Sequence, residues 1–227
     1  ELDSVWKLTD SSIRETPSIA LAQPRTRKYT SYRFPHYLPD GRILVLKSGL
    51  DLINTYYTIE SKNETKLFSP GLYTDDHITT VVEGTLMTWA ESGFHERWVN
   101  KDYSIIKTYD FKTGKEVKLT SKTRFFSPAP SKDGKRLIVS ETDASNRYTL
   151  VLIDALTGNE LRRLPNPANN FFTHMRWMDD RHVVAVILND KGNALVTVDT
   201  HNGQLEKIVD ETIVPLSRPY PHGNHIF

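Results

Sequence analysis

The sequence contains no cysteine, and this absence excludes three kinds of chemistry at once. Without a thiol the chain can form no disulfide, hold no metal through thiolates and use no cysteine as a nucleophile. Long apolar runs are missing as well, because the longest uninterrupted one covers residues 183–188 and is far too short to cross a bilayer. We therefore expect no membrane insertion.

A large excess of positive charge is also absent, because 29 Lys and Arg residues are almost balanced by 28 Asp and Glu residues. A nucleic-acid partner is therefore not expected. The sequence begins at Glu1, with neither an initiator methionine nor a signal peptide. From this we expect the chain to be part of a longer protein.

What the sequence does contain is a repeat. Turns with glycine recur at intervals of 44 and 45 residues, at Thr113-Gly114, Thr157-Gly158 and Asn202-Gly203. Turns that carry Asp-Gly or Asp-Asp recur in step with them, at Asp40-Gly41, Asp133-Gly134 and Asp179-Asp180. A period of ~40–50 residues with four short strands in each unit is typical of β-propeller blades.

The clearest unit spans residues 125–165. Apolar or alternating segments predict four strands, at residues 125–130, 136–140, 148–154 and 160–164. In the turn between the first two, Asp133 can accept a bond from the following backbone and Gly134 can take a positive φ. Such a sheet is apolar on both faces, so it must stack against neighbours. Trp89 and Trp177 are expected in the core between blades.

The whole sequence therefore predicts an all-β fold: a β-propeller with about four four-stranded antiparallel blades, from a larger ring of six or seven. We expect the blades at residues 25–70, 71–122, 123–167 and 168–215, and the start of a truncated blade at residues 216–227. Residues 1–24 do not fit the repeat and are expected to form a partial blade or a linker. Residues 11–22 can alternatively form a short helix broken by Pro17.

The repeat resembles a known family. The segment Leu38-Pro39-Asp40-Gly41-Arg42-Ile43, with Thr113-Gly114-Lys115 and Leu119-Thr120, is similar to the repeats of TolB-like propellers, also called WD40-like PD40 repeats. The resemblance covers roughly residues 30–227 and implies the fold more than the function, because such repeats serve many proteins. This sequence departs from the pattern near Glu83, where the turn motif is lost, and at Met178-Asp179-Asp180.

Residues 89–104 look like a narrower bacterial subfamily, in which the propeller follows a separate N-terminal region that is sometimes zinc peptidase-like. This resemblance implies that the chain is the non-catalytic part of a larger protein. It also implies a periplasmic or extracellular location in a bacterium. The remaining blades, or another domain of the parent chain, are then expected partners.

The sequence has no complete catalytic or cofactor motif. His95-Glu96 begins like a zinc-protease signature, but Val99 stands where the second histidine has to be. There is neither a Gly-x-Ser-x-Gly elbow nor a glycine-rich phosphate loop. His222 and His225 lie in a predicted turn. We expect no catalytic residue, no metal and no cofactor.

One segment departs from the repeat, an enlarged loop predicted at residues 91–103, between the second and third strands of its blade. Aromatic and arginine side chains in a loop on a rigid scaffold are typical of binding hot spots. The candidate binding residues are Glu91, His95, Arg97, Trp98, Asn100 and Tyr103. Alternatively, Trp98 covers the blade edge and Arg97 pairs with Glu91 or Glu96.

These features favour a non-catalytic binding or scaffold module that contacts a protein, a peptide or a glycan. The alternative is an accessory propeller of a bacterial peptidase, which gates or positions substrate for a catalytic domain outside this chain. A third hypothesis is structural. Open edge strands would then be covered by another domain or by a second copy, and the chain would dimerise.

Overall fold

The computed structural model describes residues 19–22, 28–72, 81–97, 103–223 and 225–227. Strands and turns account for all the regular structure in these residues, and no helix occurs among them. The chain forms two compact units, one with the described residues up to 37 and 41–69, the other with residues 38–40 and the described residues from 70 onward. The partial blade, linker or helix predicted at residues 1–24 falls almost entirely outside the described residues.

Four four-stranded sheets and a short hairpin make up the structure. The first sheet contains β1 (Thr30–Tyr37), β2 (Ile43–Gly49), β3 (Leu52–Glu60) and β4 (Asn63–Phe68). The second contains β5 (Val81–Glu83), β6 (Leu86–Gly93), β7 (Tyr103–Asp110) and β8 (Lys115–Lys118). The third contains β9 (Phe125–Pro130), β10 (Arg136–Thr142), β11 (Tyr148–Asp154) and β12 (Glu160–Leu164). The fourth contains β13 (Phe171–Trp177), β14 (His182–Asn189), β15 (Gly192–Asp199) and β16 (Leu205–Thr212).

Within each sheet the strands follow chain order, and neighbouring strands are antiparallel. The hairpin after the fourth sheet consists of β17 (Pro221–His222) and β18 (His225–Ile226). The predicted all-β fold with four-stranded antiparallel units is confirmed. The hairpin predicted around Glu83 and Gly84, where the turn motif is lost, is also present, between β5 and β6.

The third sheet is buried on both faces. Successive residues of its middle strands, β10 and β11, point to opposite faces and join separate apolar clusters. The cluster shared with the second sheet includes Leu137, Val139, Val151, Ile153, Ala90 and Ile106. The cluster shared with the fourth sheet includes Ile138, Leu150, Leu152, Phe172, Met175 and Trp177. The three sheets of the second unit therefore stack face to face, as their apolar patterning requires.

Both tryptophans that the sequence placed in the core are buried, with 1% of each exposed. Trp177 belongs to the cluster between the third and fourth sheets, and its Nε1–H donates to the carbonyl of Ala129 at 3.0 Å. Ala129 lies on the neighbouring sheet, so Trp177 joins two sheets by packing and by a hydrogen bond. Its predicted place between blades is confirmed.

The first sheet has a small apolar cluster of its own, formed by Ile43, Val45 and Ile59 with Tyr32 and Tyr57 against it. Lys47 lies 5.2 Å from the ring centroids of both Tyr32 and Tyr57 and pairs with Glu64. Burial by itself would lower the pKa of Lys47, but hydrogen bonds to Glu64 and Tyr32 outweigh it and raise the pKa. Glu64 therefore compensates the positive charge of Lys47, which lies over the two tyrosine rings.

The aspartate turns are built as the sequence predicts. Asp133 Oδ1 accepts a hydrogen bond from the Ser131 hydroxyl at 2.5 Å and another from the Lys135 N–H at 3.1 Å. Gly134 has φ of 68°. The Ser131 and Lys135 donors hold the pKa of Asp133 below its usual range, because they bind the ionised form. The Asp133 carboxylate therefore stabilises its own hairpin turn.

The glycine turns between third and fourth strands contact the preceding sheet. A Cβ on Gly158 would lie 2.5 Å from the carbonyl oxygen of Leu119, and one on Gly203 would lie 2.6 Å from Pro165 Cδ. Leu119 follows β8 and Pro165 follows β12, so the same contact recurs between consecutive sheets. Gly158 and Gly203 also have φ of 72° and 76°. Both positions therefore require glycine, because it adopts a positive φ readily and because it has no Cβ to overlap the preceding sheet.

The first strands contain a bulge that the sequence analysis missed. β1, β9 and β13 each shift register against the next strand, and one non-glycine residue in each shift has a positive φ. These residues are Phe34 (56°), Ser127 (47°) and His174 (51°). Such a conformation is uncommon outside glycine, and bulges re-aim the side chains around them. Because three unrelated residue types occupy the position, no residue pattern marked it.

Alanine at Gly158 will destabilise the chain more than alanine at Gly134. Both glycines have positive φ, but nothing lies within 4 Å of a Cβ on Gly134. We expect Gly134→Ala to lower the free energy of unfolding by about 1–2 kcal/mol through its backbone conformation alone. Gly158→Ala should lose about 1–3 kcal/mol more through overlap with Leu119. Urea denaturation measures both, and equal losses would contradict the inter-sheet contact.

Acid will weaken the turns at Asp133 and Asp154. Hydrogen bonds from the backbone and hydroxyl of Thr157, and from the Leu156 N–H, likewise hold the pKa of Asp154 below its usual range. Because both folded pKa values are lowered, this stabilisation is present above the unfolded pKa of about 4 and is lost as pH falls through the folded values. Between pH 5 and pH 2, the melting temperature of the Asp133→Asn/Asp154→Asn variant should therefore fall less than that of the parent protein. An identical fall would show that these two turns do not contribute to the acid sensitivity.

Candidate functional site

The enlarged loop lies between β6 and β7, at residues 94–102. The corresponding connections in the third, fourth and first sheets span residues 143–147, 190–191 and 50–51. The predicted enlargement is therefore present, but the predicted bounds of 91–103 were wrong. Glu91 lies inside β6 and Tyr103 begins β7, because the two strands pair up to Gly93 and Tyr103.

Glu91 is buried at the base of this loop, with 6% of the residue exposed. Its Oε1 accepts hydrogen bonds from Trp89 Nε1–H and from the Gly71 N–H, both at 2.8 Å. Its Oε2 lies 3.1 Å from Lys107 Nζ. The ion-pair partner of Glu91 is thus Lys107 on the adjacent strand, and the alternative pairing with Arg97 was wrong. Glu91 joins β6, β7 and the segment at Gly71.

Lys107 completes this network. Its Nζ also donates to Glu116 Oε1 at 2.7 Å, on β8. Burial alone would lower the pKa of Lys107, but the hydrogen bonds to Glu116 and Glu91 raise it above the ordinary value. A Cβ on Gly71 would lie 2.5 Å from Glu91 Oε2, so glycine is what lets the segment before β5 approach the carboxylate. The sequence analysis missed both Lys107 and Gly71.

Tyr103 closes the other side of the loop base. It lies directly opposite Gly93, and a Cβ on Gly93 would overlap the Tyr103 ring. An aromatic ring placed over a cross-strand glycine covers backbone that would otherwise be exposed. Tyr103 therefore anchors the first residue of β7, and the sequence signal for it was the glycine at the end of the preceding apolar strand.

The described part of the loop itself points to solvent. Phe94 is 61% exposed, and Glu96 and Arg97 are exposed as well. His95 is half-buried, and its Nδ1 accepts a hydrogen bond from the Arg97 N–H at 3.2 Å. Of the predicted binding residues, His95 and Arg97 are therefore brought together, whereas Glu91 and Tyr103 hold the base. Trp98 and Asn100 lie outside the described residues.

Among the described residues, no three His, Cys, Asp or Glu side chains lie together in a way that could hold a metal ion. His222 and His225 face each other across the β17–β18 hairpin. In that part of the chain there is also no helix with the length and apolar character that a membrane span needs.

Removal of the Glu91 carboxylate will destabilise the protein, because Trp89 Nε1–H and the Gly71 N–H then lose their acceptor in a buried place. We expect Glu91→Ala to lower the free energy of unfolding by about 2–4 kcal/mol. Glu116→Ala removes the more exposed partner of Lys107 and should cost about 0–1 kcal/mol. Denaturant melts of the two variants decide this, and similar losses would show that Glu91 does not anchor the loop base.

No family model matches the sequence, and no curated protein matches it. The β-propeller domain of the Trilobed protease from Pyrococcus furiosus is similar in structure, with 14% identity, a TM-score of 0.56, and coverage of 79% of this chain and 57% of that one. TolB from Acinetobacter baumannii shares 19% identity with a TM-score of 0.51, covering 78% of this chain and 43% of that one.

Prolyl oligopeptidase B from Galerina marginata is also similar, with 15% identity and a TM-score of 0.54, covering 82% of this chain and 32% of that one. The chain spans less than two thirds of the length of each of these three proteins. Identities this low show a shared fold and nothing finer. The fold that the chain shares with these proteins is that of a β-propeller, with the four-stranded sheets as its blades.

Proposed function

We propose that the chain is a non-catalytic binding module, and that the β6–β7 loop contacts its partner. The observation that carries this proposal is the contrast between the base and the tip of the loop. Glu91, Lys107 and Tyr103 fix the two strands below it, while Phe94 and Arg97 point to solvent. A loop held by a rigid scaffold loses less conformational entropy when it binds.

The chemistry of the loop suits a protein or peptide partner best. An exposed aromatic ring beside an arginine offers apolar area, stacking and directional hydrogen bonds, which is the composition of most binding hot spots. The sequence adds Trp98 and Asn100 to the same segment. A glycan partner would pack against the aromatic rings in a similar way, and the crosslinking experiment below would also capture it.

The second candidate function is that of an accessory propeller in a bacterial peptidase. It is favoured by one observation, the structural similarity to the β-propeller domain of the Trilobed protease. In this proposal the blades gate or position substrate for a catalytic domain elsewhere in the parent protein. The remaining blades, an edge-to-edge dimer, and a periplasmic or extracellular location likewise remain predictions from the sequence.

Photo-crosslinking tests the loop. A photoreactive phenylalanine analogue at Phe94 should form adducts with a partner in extracts of the source cells. The matched control is the same analogue at Leu156, which is 84% exposed in the turn between β11 and β12. The Arg97→Ala/Trp98→Ala variant should lose the Phe94 adducts and keep its melting temperature. Equal adducts at the two positions, or lost stability with unchanged adducts, would reject the loop as a binding site.

The complete reading frame separates the two candidate functions. A His-Glu-x-x-His motif upstream, or a Gly-x-Ser-x-Gly elbow downstream, is expected if the chain serves a peptidase. A signal peptide with neither motif is expected for the binding module.

A further inference from the structure

A half-buried arginine lies where β5, β13 and the C-terminal hairpin meet. Its neighbours on β13, Met175 and Trp177, belong to the apolar cluster with the third sheet, and Arg176 lies outside that cluster. Arg176 Cζ lies 4.9 Å from the ring centroid of Tyr220. Its Nη1 reaches the carbonyl of Val82, on β5, at 3.4 Å, which is a long hydrogen bond.

Arg176 is half-buried, and none of the described carboxylates forms an ion pair with it. Arg163 and Arg181, which are more exposed, pair with carboxylates on their own sheets. Among the described residues no carboxylate lies within ion-pair distance of Arg176, and Glu83 acts on it only by longer-range attraction. Burial is the main cause of a lowered pKa for Arg176. A guanidinium taken this far out of water without a counter-ion is destabilising.

The remaining donors of Arg176 suit one kind of ligand. A guanidinium has its N–H groups in one plane, where they can form two parallel bonds to a planar carboxylate. Tyr220 is 45% exposed, so the pair can be reached from solvent on the side of its ring. Glu83 already contributes some negative potential at Arg176. A single negative charge is the better match.

The hairpin holds Tyr220 in place for this role. The Tyr220 N–H donates to the Phe227 carbonyl at 2.8 Å, and the Phe227 N–H donates back to the Tyr220 carbonyl at 3.0 Å. The apolar side chain of Phe227 belongs to the same hairpin. A carboxylate next to an apolar side chain is what a peptide presents.

We propose that Arg176 and Tyr220 form a subsite for one carboxylate of a bound peptide, either its C-terminus or an acidic side chain. The subsite uses none of the residues of the β6–β7 loop, so it stands whether or not that loop binds a partner. The signal in the sequence was a lone arginine inside the otherwise apolar stretch Met175-Arg176-Trp177, and the sequence analysis did not use it.

Short peptides test the subsite on the 227-residue chain. The probes are acetyl-Ala-Ala-Ala with a free C-terminus, its C-terminal amide, and acetyl-Ala-Asp-Ala amide. Binding is followed by NMR through the Arg176 Nε–H and Tyr220 resonances. We expect the free acid or the Asp peptide to bind with a Kd on the order of 1 mM, as suits a single bidentate ion pair, and the plain amide not to bind. Which acid binds identifies the source of the carboxylate.

Variants separate recognition from packing. Arg176→Met should weaken binding of the acid at least about tenfold, while Arg176→Lys, which keeps the charge without the planar fork, should weaken it less. The matched control is Arg136→Met, because Arg136 also stacks on a ring, that of Trp177 at 5.0 Å, and also donates to a backbone carbonyl. It should leave binding unchanged.

The stability of Arg176→Met is the second measurement. If Arg176 is kept for a ligand, replacing it by an apolar side chain of similar length should leave the melting temperature unchanged or raise it. Equal binding of acid and amide, or unaltered affinity in Arg176→Met or Arg176→Lys, would overturn the proposal. So would a melting temperature that falls further for Arg176→Met than for Arg136→Met, since that result assigns Arg176 to packing.

Discussion

Burial of both faces of the third sheet is the interaction on which the second unit depends. Leu137 and Val139 point to one neighbour and Ile138 to the other, so β10 alone contributes to two cores. A sheet of this kind has no stable state in isolation, because each face needs a partner. The hairpin turns carry little of this stability themselves. They set the register that brings each apolar face against the next.

The same stacking decides which polar groups belong to the scaffold. Glu91 lies at the end of an apolar strand and receives three donors, so its charge is fully compensated within the blade. Arg176 lies on a first strand and has one long hydrogen bond and one ring contact. Both are charges removed from water, yet only Glu91 has the partners that stability requires. The difference separates a structural carboxylate from a proposed binding residue.

A β-propeller tolerates varied function because the loops that join its strands take little part in the packing of the sheets. The β6–β7 loop grows to residues 94–102 without disturbing the pairing of the strands below it. The fold is shared with TolB and with the propeller domain of a protease, but fold similarity at this identity does not transfer an activity. Function has to be argued from the loop and from Arg176, where side chains depart from the repeat.

The sequence by itself determined the strands, the turns and the apolar alternation, because these depend on local conformation and on a period of two. It identified the enlarged loop for the same reason, as an interruption of the repeat. The bulges at Phe34, Ser127 and His174 were decided only by the tertiary structure, since their residue types have nothing in common. The tertiary structure alone also placed Lys107 beside Glu91 and Tyr220 beside Arg176. Such contacts join separate strands or distant segments, and no local pattern records them.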